Sequence, residues 1–175
     1  KEELPSVKIQ KENRDYKMKE WTVMTFMNAK NNLARHGFDK INEMEMIGSN
    51  DKVNIVSELG MIDGYNSEGA DENWRGCRRY YIKKDTDKEK INSPVLFETS
   101  QCDMGSWEYL ADFVEWAKKN YPAKRYILVI WNHGSGWKNR NETRGISYDE
   151  ETNNYIKTPE LRMFFEKVGG VEILA

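Results

Sequence analysis

The sequence predicts an α/β domain with a mainly parallel central sheet and helices on both faces of that sheet. Near-continuous apolar runs at residues 20–27 and 126–131 are typical of strands that are covered on both faces. Segments with apolar residues at helical spacing alternate with these runs, and the connections between them are short. The resulting order, strand–helix–strand and later helix–strand–helix–strand, favours parallel strands joined by right-handed crossovers.

The first βαβ unit begins with the strand over residues 20–27. An asparagine-rich stretch breaks that strand, and Asn31 or Asn32 can cap the helix that follows. Gly48 can end this helix, because glycine tolerates the left-handed backbone of a helix C-terminus. A second strand is predicted over residues 53–59. The apolar residues of the helix recur at helical spacing: Ala34, Phe38, Ile41 and Met44.

The middle of the chain predicts a hairpin and a second helix. Residues 77–84 alternate weakly, end in a charged turn, and can pair with residues 95–97. The second helix starts at Asp103 or Ser106 and carries one apolar stripe. It leads directly into the strand over residues 126–131.

The last third of the chain predicts a polar loop, a helix and the start of a strand. The loop covers residues 138–147. Thr158 is read as the N-cap of the helix, with Pro159 at its first position. Apolar residues at 171–175 begin a further strand.

The composition is that of a soluble, folded domain. The 175 residues are 38% hydrophobic and 32% charged, and the six Trp and nine Tyr argue against disorder. A net charge of −2, with basic and acidic residues interleaved, lacks the footprint of a nucleic-acid-binding protein. The sequence has no run of about 18 apolar residues, so no membrane span is predicted. Residues 1–19 are rich in Lys and Glu and predict an N-terminal tail, which leaves residues 20–175 as the domain.

The N-terminus and the two cysteines bear on the compartment of the protein. The chain opens with Lys1 and has no apolar leader, which suggests a processed or trimmed N-terminus. A mature exported protein fits that start, so a secreted or cell-envelope location is expected. Cys77 and Cys102 have no metal-ligand spacing and are too few for a disulfide scaffold, so both are predicted to be reduced thiols.

His133 is the leading candidate for catalysis. It follows the apolar run 126–131, and in open α/β sheets ligands collect outside the carboxyl ends of the strands. Histidine moves protons near neutral pH, and Gly134 lets a backbone N–H approach a substrate closely. The alternative is a histidine that is only hydrogen-bonded in a strand-end turn. His36, the other histidine, is predicted to lie on the solvated side of the first helix.

The segment WNHGSGW at residues 131–137 resembles the histidine motif of the clostripain-like cysteine peptidases, family C11. The resemblance extends to the opening strand at residues 21–27, the helix region 103–122 and the segment 144–149, and covers about residues 20–175. It implies a three-layer αβα, caspase-like sandwich, incomplete at its C-terminal end in this chain.

The resemblance also implies roles for individual residues. His133 would be the catalytic imidazole, and the Gly134 N–H would be one oxyanion donor. The family's cysteine motif follows a strand that matches residues 171–175 and is absent here. Either a second chain supplies the cysteine, or the sequence is a fragment that is inactive without the segment after Ala175. The substrate would be a peptide or protein with Arg or Lys before the cleaved bond. Arg140 and Arg144 lie in a polar loop that the assembled enzyme is expected to cut.

Two further sites stay open at this stage. Cys102 precedes a helix start, where a thiol is activated, and it is the rival nucleophile within the chain. Calcium dependence occurs in the resembled family, and the acidic residues 149–151 could help to hold that ion or form a solvated turn. The family often carries aspartates where this chain has Asn28 and Lys30, which argues against a cation site there.

Three classes of function remain. The first is a cysteine endopeptidase that cleaves after Arg or Lys. The second is an α/β-hydrolase-type esterase with residues 133–136 as its oxyanion loop, although the Gly-x-Ser-x-Gly elbow which it needs is absent from these residues. The third is a non-catalytic α/β binding domain in which His133 is structural.

Overall fold

A computed structural model describes residues 18–62, 74–133 and 145–175. Almost all of the predicted N-terminal tail lies outside the described residues. The described part holds three helices and eight strands. In chain order they are β1 (Lys19–Ala29), α1 (Ala34–Glu45), β2 (Val53–Met61), β3 (Gly76–Tyr81), β4 (Val95–Thr99), α2 (Trp107–Asn120), β5 (Ala123–Trp131), β6 (Gly145–Asp149), β7 (Asn154–Lys157), α3 (Thr158–Val168) and β8 (Ile173–Leu174).

Six strands form the central sheet, in the order β4-β3-β2-β1-β5-β8. The strands β2, β1, β5 and β8 run parallel to one another. The hairpin of β3 and β4 extends the sheet antiparallel to β2. The prediction of a mainly parallel sheet with one hairpin is therefore confirmed, and β1 lies near its centre.

Helices cover both faces of the sheet, as predicted. Along β1 the side chains of Met24 and Phe26 pack in the core that α2 and α3 cover, whereas Met27 packs in the core beneath α1. This alternation follows from the two-residue period of a strand. The architecture is therefore three layers, with α1 on one face and α2 and α3 on the other.

The predicted helix caps have different outcomes. The prediction that Asn31 or Asn32 caps α1 was wrong, because Leu33 is the N-cap and no side chain caps this helix. The Asn31 side chain instead accepts the Leu33 N–H at 2.8 Å, in the turn before α1. Gly48 has a φ of +67°, and its N–H donates to the Met44 carbonyl beyond the helix end. Ser106 is the N-cap of α2. The α3 prediction was wrong by one residue, because Lys157 is the N-cap and Thr158 is the first helical residue.

The polar loop predicted over residues 138–147 is wrong at its C-terminal end. Residues 145–147 belong to β6, which pairs antiparallel with β7. Ser147 lies in this hairpin with a φ of +59°. The short strand has little apolar periodicity, and polar contacts with β1 and the α2 region hold it in place, as described below. These tertiary contacts leave no local sequence pattern, so the strand could not be predicted from the sequence.

The two cysteines form a disulfide, so the prediction of two reduced thiols was wrong. The bond joins Cys77 in β3 to Cys102 in the segment before α2, with the Cα atoms 6.2 Å apart. Sequence spacing gave no sign of the pairing, because the sheet register brings the residues together across 25 positions. Disulfides persist in oxidising compartments, which agrees with the expected secreted or cell-envelope location.

Removing this disulfide with the paired substitution Cys77→Ser and Cys102→Ser should lower the free energy of unfolding by about 3 kcal/mol. The closed loop spans 25 residues, and the stabilisation arises mainly from the restricted unfolded chain. Urea unfolding of the oxidised protein, the reduced protein and the Ser/Ser variant measures the effect. Equal midpoints for oxidised and reduced protein would contradict the prediction.

Candidate active site

The candidate site lies at the carboxyl edge of the two central parallel strands. Met27 of β1 pairs with Trp131 of β5, so the residues after the two strands emerge side by side. Asn28 and Ala29 end β1 at this edge and Lys30 to Asn32 follow them, whereas Asn132 and His133 follow β5. The sequence placed His133 at such an edge, and the register shows which polar residues it meets.

His133 is exposed, and one neighbour contacts its ring closely. The Nε2 atom lies 2.6 Å from the Asn32 Oδ1 atom. Because the amide oxygen can only accept a hydrogen bond, this contact requires a proton on Nε2. In the neutral form of the ring, the Nδ1 atom would then carry the free lone pair. The ring itself is exposed to solvent.

Asn132 fixes the backbone directly before His133. Its side-chain amide donates to the Asn28 carbonyl and to the Tyr148 carbonyl, both at 3.0 Å. The Asn31 side chain approaches the Asn132 Oδ1 atom at 3.5 Å. These contacts join the ends of β1, β5 and β6. From the sequence, the asparagines in residues 28–32 indicate only a strand break and a helix cap, so this role could not be predicted.

Lys30 forms the most buried polar cluster at this edge. Its side chain is fully buried, and its Nζ atom lies 2.9 Å from Asp149 Oδ2 and 2.6 Å from Glu151 Oε2. The same ammonium donates to the Cys102 carbonyl at 2.7 Å. Asp149 is also fully buried, and its carboxylate accepts the N–H groups of Met104 and Glu151. The alternative reading of residues 149–151 as a solvated turn is therefore wrong for Asp149.

This cluster does not fit a calcium ion. Calcium needs several oxygen ligands with surplus negative charge. Here the Lys30 ammonium already lies against both carboxylates, offsets one of their two negative charges and would repel a second cation. In the described residues no group of three or more His, Cys, Asp or Glu side chains could hold a metal ion.

The Lys30 cluster fastens the β6–β7 hairpin to the end of β1. The Glu150 N–H donates to the Lys30 carbonyl at 3.2 Å. The Asn28 side chain donates to Ser147 Oγ at 3.1 Å, and that hydroxyl donates to the Met104 carbonyl at 2.7 Å. Since Asn132 also contacts the Tyr148 carbonyl, the hairpin and the His133 edge form one connected network.

The other site residues predicted from sequence have different outcomes. Cys102 is disulfide-bonded, so it is not a nucleophilic thiolate, and the rival-nucleophile prediction was wrong. Gly134, Arg140 and Arg144 lie outside the described residues, and their predicted roles stay predictions. His36 is exposed on α1, as expected.

A second buried charge cluster lies between β2, β3 and α2. The Arg79 guanidinium contacts Glu58 at 2.5 Å and Asp112 at 2.7 Å, and Tyr109 donates to Glu58. Burial raises the pKa of Glu58, and the nearby Arg79 charge opposes that rise. The side chain of Trp116 packs against the guanidinium, whose centre lies 5.1 Å from its ring. Because its charges are paired, this cluster stabilises the fold rather than offering a reactive group.

The structure is a mainly parallel α/β domain with an exposed histidine at the carboxyl edge of its sheet. A sequence model of the clostripain family, peptidase C11, matches residues 25–175. Because this match covers most of the chain, the protein belongs to the clostripain family of cysteine peptidases. It is 29% identical to clostripain from Hathewaya histolytica over 141 residues, which are 74% of this chain. The chain spans 27% of the length of that relative.

Solved structures support the fold. A secreted C11 cysteine protease from Bacteroides thetaiotaomicron, bound to an irreversible peptide inhibitor, matches 89% of this chain and 41% of its own. Its TM-score is 0.64 at 19% identity. An inactive zymogen C11 protease from Parabacteroides distasonis matches 87% of this chain and 40% of its own, with a TM-score of 0.57 at 20% identity.

In a third solved structure, the match covers almost the whole of the other chain. A B. fragilis cysteine protease matches 71% of this chain and 98% of its own, with a TM-score of 0.51 at 21% identity. Together these likenesses confirm the caspase-like arrangement predicted from the sequence. In residues 18–62, 74–133 and 145–175 the helices are too short or too polar for any of them to cross a bilayer.

Proposed function

We propose that this chain is the histidine-bearing part of a cysteine endopeptidase that cleaves peptide bonds after Arg or Lys. His133 is the imidazole of a Cys-His dyad, and the Gly134 N–H is one oxyanion donor. The observation that carries the proposal is the exposed His133 ring at the carboxyl edge of the central parallel strands. Membership of the clostripain family supports the same reaction class.

The nucleophile comes from outside these 175 residues. Both cysteines of the chain are joined in the disulfide, so neither provides a thiolate. The register of β8 supports a cysteine that follows this strand and lies at the same edge of the sheet as His133. Leu128 of β5 pairs with Leu174 of β8 in parallel, so the position opposite His133 falls beyond Ala175. A cysteine carried there, on the same polypeptide or on a second chain, would face the imidazole.

The reaction follows from this placement. The thiolate sulfur attacks the substrate carbonyl carbon, and the carbonyl oxygen becomes an oxyanion that backbone N–H groups stabilise. The C–N bond then breaks as the imidazolium gives its proton to the leaving amine. Water, deprotonated by the same imidazole, releases the acyl group from sulfur.

The compartment is proposed to be oxidising, either secreted or in the cell envelope. The Cys77–Cys102 disulfide supports this location, since cytosolic thiols are kept reduced. No calcium ion is assigned to residues 149–151, because the Lys30 ammonium already lies against Asp149 and Glu151.

Fluorogenic peptides test the proposal on the whole protein that carries this chain. Peptides with Arg or Lys before the cleaved bond should be hydrolysed at least about 100-fold faster than matched peptides with Asp there. Thiol alkylation should abolish the activity. A short-chain ester serves as the matched substrate for the esterase alternative.

Three outcomes would reject the proposal. Activity that survives complete alkylation would exclude a cysteine nucleophile. A preference for acidic residues before the cleaved bond would exclude the assigned substrate class. Ester hydrolysis without peptide hydrolysis would favour the esterase.

A further inference from the structure

We infer that Asn32 is the positioning residue of His133, which holds the imidazole as its Nε2–H tautomer and leaves Nδ1 to face the thiol. This inference rests on the proposed function, because it assigns an orientation to the base of the Cys-His dyad. It adds a residue that neither the histidine motif nor strand-end reasoning identifies. The carrying observation is the 2.6 Å contact between Nε2 and the Asn32 Oδ1 atom.

Asn32 suits this task because its backbone is fixed independently of His133. It lies in a turn closed by a hydrogen bond from the Ala34 N–H to the Asn31 carbonyl at 3.1 Å. The Asn31 side chain spans the same turn, as it accepts the Leu33 N–H at 2.8 Å. The turn joins the end of β1 to α1, two elements packed in the core. The backbone that carries the Asn32 amide is therefore held in a defined position.

The backbone before His133 is held by the same group of asparagines. Asn132 bonds the Asn28 and Tyr148 carbonyls and is approached by Asn31. The backbone segments that carry Asn32 and His133 are thus held by one hydrogen-bond network at the ends of β1 and β5. A strand-end histidine that is exposed needs such a frame, because an unrestrained ring samples several rotamers and both tautomers.

The tautomer decides which nitrogen can accept the thiol proton. With Nε2 protonated and bonded to Asn32, only Nδ1 carries a lone pair. Loss of the Asn32 oxygen removes the acceptor for the Nε2 proton and frees the ring to rotate. The dyad would then spend less time with its acceptor nitrogen toward sulfur, which lowers the rate of the chemical step more than substrate binding.

The test compares Asn32→Ala, Asn32→Asp and the control Asn92→Ala in the whole enzyme. Asn92 is an exposed asparagine whose N–H contacts Glu45 near the opposite end of α1. Asn32→Ala should lower kcat by about 10- to 100-fold with KM within about twofold of wild type. Asn32→Asp keeps an acceptor oxygen in the same place and should recover most of kcat. Asn92→Ala should match wild type.

Ring ¹⁵N NMR gives a readout that activity alone does not. This chain has two histidines, and His36 serves as the internal reference. The His133 ring should be the Nε2–H tautomer in wild type and a mixture of both tautomers in Asn32→Ala. Unchanged tautomer populations in Asn32→Ala would overturn the inference, as would a kcat equal to wild type. Equal losses in the Ala and Asp variants would also overturn it, since Asn32 would then act only through the fold.

The variant His133→Ala separates this inference from the function beneath it. If His133→Ala retains full activity, the proposed function fails. If His133→Ala is inactive while Asn32→Ala behaves as wild type, only the assignment of Asn32 fails.

Discussion

Replacing His133 with alanine is expected to lower kcat/KM for an arginyl peptide by roughly 10²- to 10⁴-fold. The substitution removes the group that takes the thiol proton and returns it to the leaving amine. Stability should barely change, because His133 is exposed and its contact with Asn32 lies at the surface. Steady-state hydrolysis and thermal unfolding of the same preparations give the two measurements.

His36→Ala is the matched control for this experiment. His36 is the other histidine of the chain and lies exposed on α1. Its replacement should leave both kcat/KM and the melting temperature at wild-type values. A His133→Ala enzyme that is as active as His36→Ala would remove His133 from the reaction. A loss of activity that parallels a large fall in melting temperature would show that His133 acts through the fold.

The core of the fold was predictable because buried parallel strands leave a strong local signal. The run 20–27 is near-continuously apolar, and the observed β1 extends it by only a few residues. Cap residues such as Ser106 and Gly48 marked helix ends correctly, since their chemistry is local. The β6–β7 hairpin was missed because its strands are short and polar. Its contacts with Lys30 and Asn28 depend on residues more than 100 positions away.

The candidate site was predictable only in its most local part. A histidine directly after an apolar strand can be found from sequence, and His133 was. Asn32 could not be matched to it, because their contact depends on the register of β1 against β5. The Cys77–Cys102 pairing and the Lys30–Asp149 pair were hidden for the same reason. One signal was available for Lys30, namely a lysine inside an asparagine-rich turn after a buried strand.

Lys30→Met should lower the free energy of unfolding by about 3–5 kcal/mol. Methionine has a similar length and is apolar, so it fills the space but brings no charge. The Asp149 carboxylate, which is fully buried, would then lose the ammonium that lies 2.9 Å from it. An uncompensated buried charge is costly, and Glu151 would add like-charge repulsion, since it also contacts Lys30 at 2.6 Å. Urea unfolding measures the change.

Two further variants identify the cause of that loss. Lys40→Met breaks the exposed Lys40–Glu43 pair, in which both side chains are about half exposed, and should cost no more than about 1 kcal/mol. The double variant Lys30→Met with Asp149→Asn removes both charges and should recover part of the loss, because no carboxylate stays unpaired at that position. If the double variant is less stable than Lys30→Met, Asp149 is not the source of the penalty. If Lys30→Met costs no more than Lys40→Met, the ammonium is not what holds the hairpin against β1.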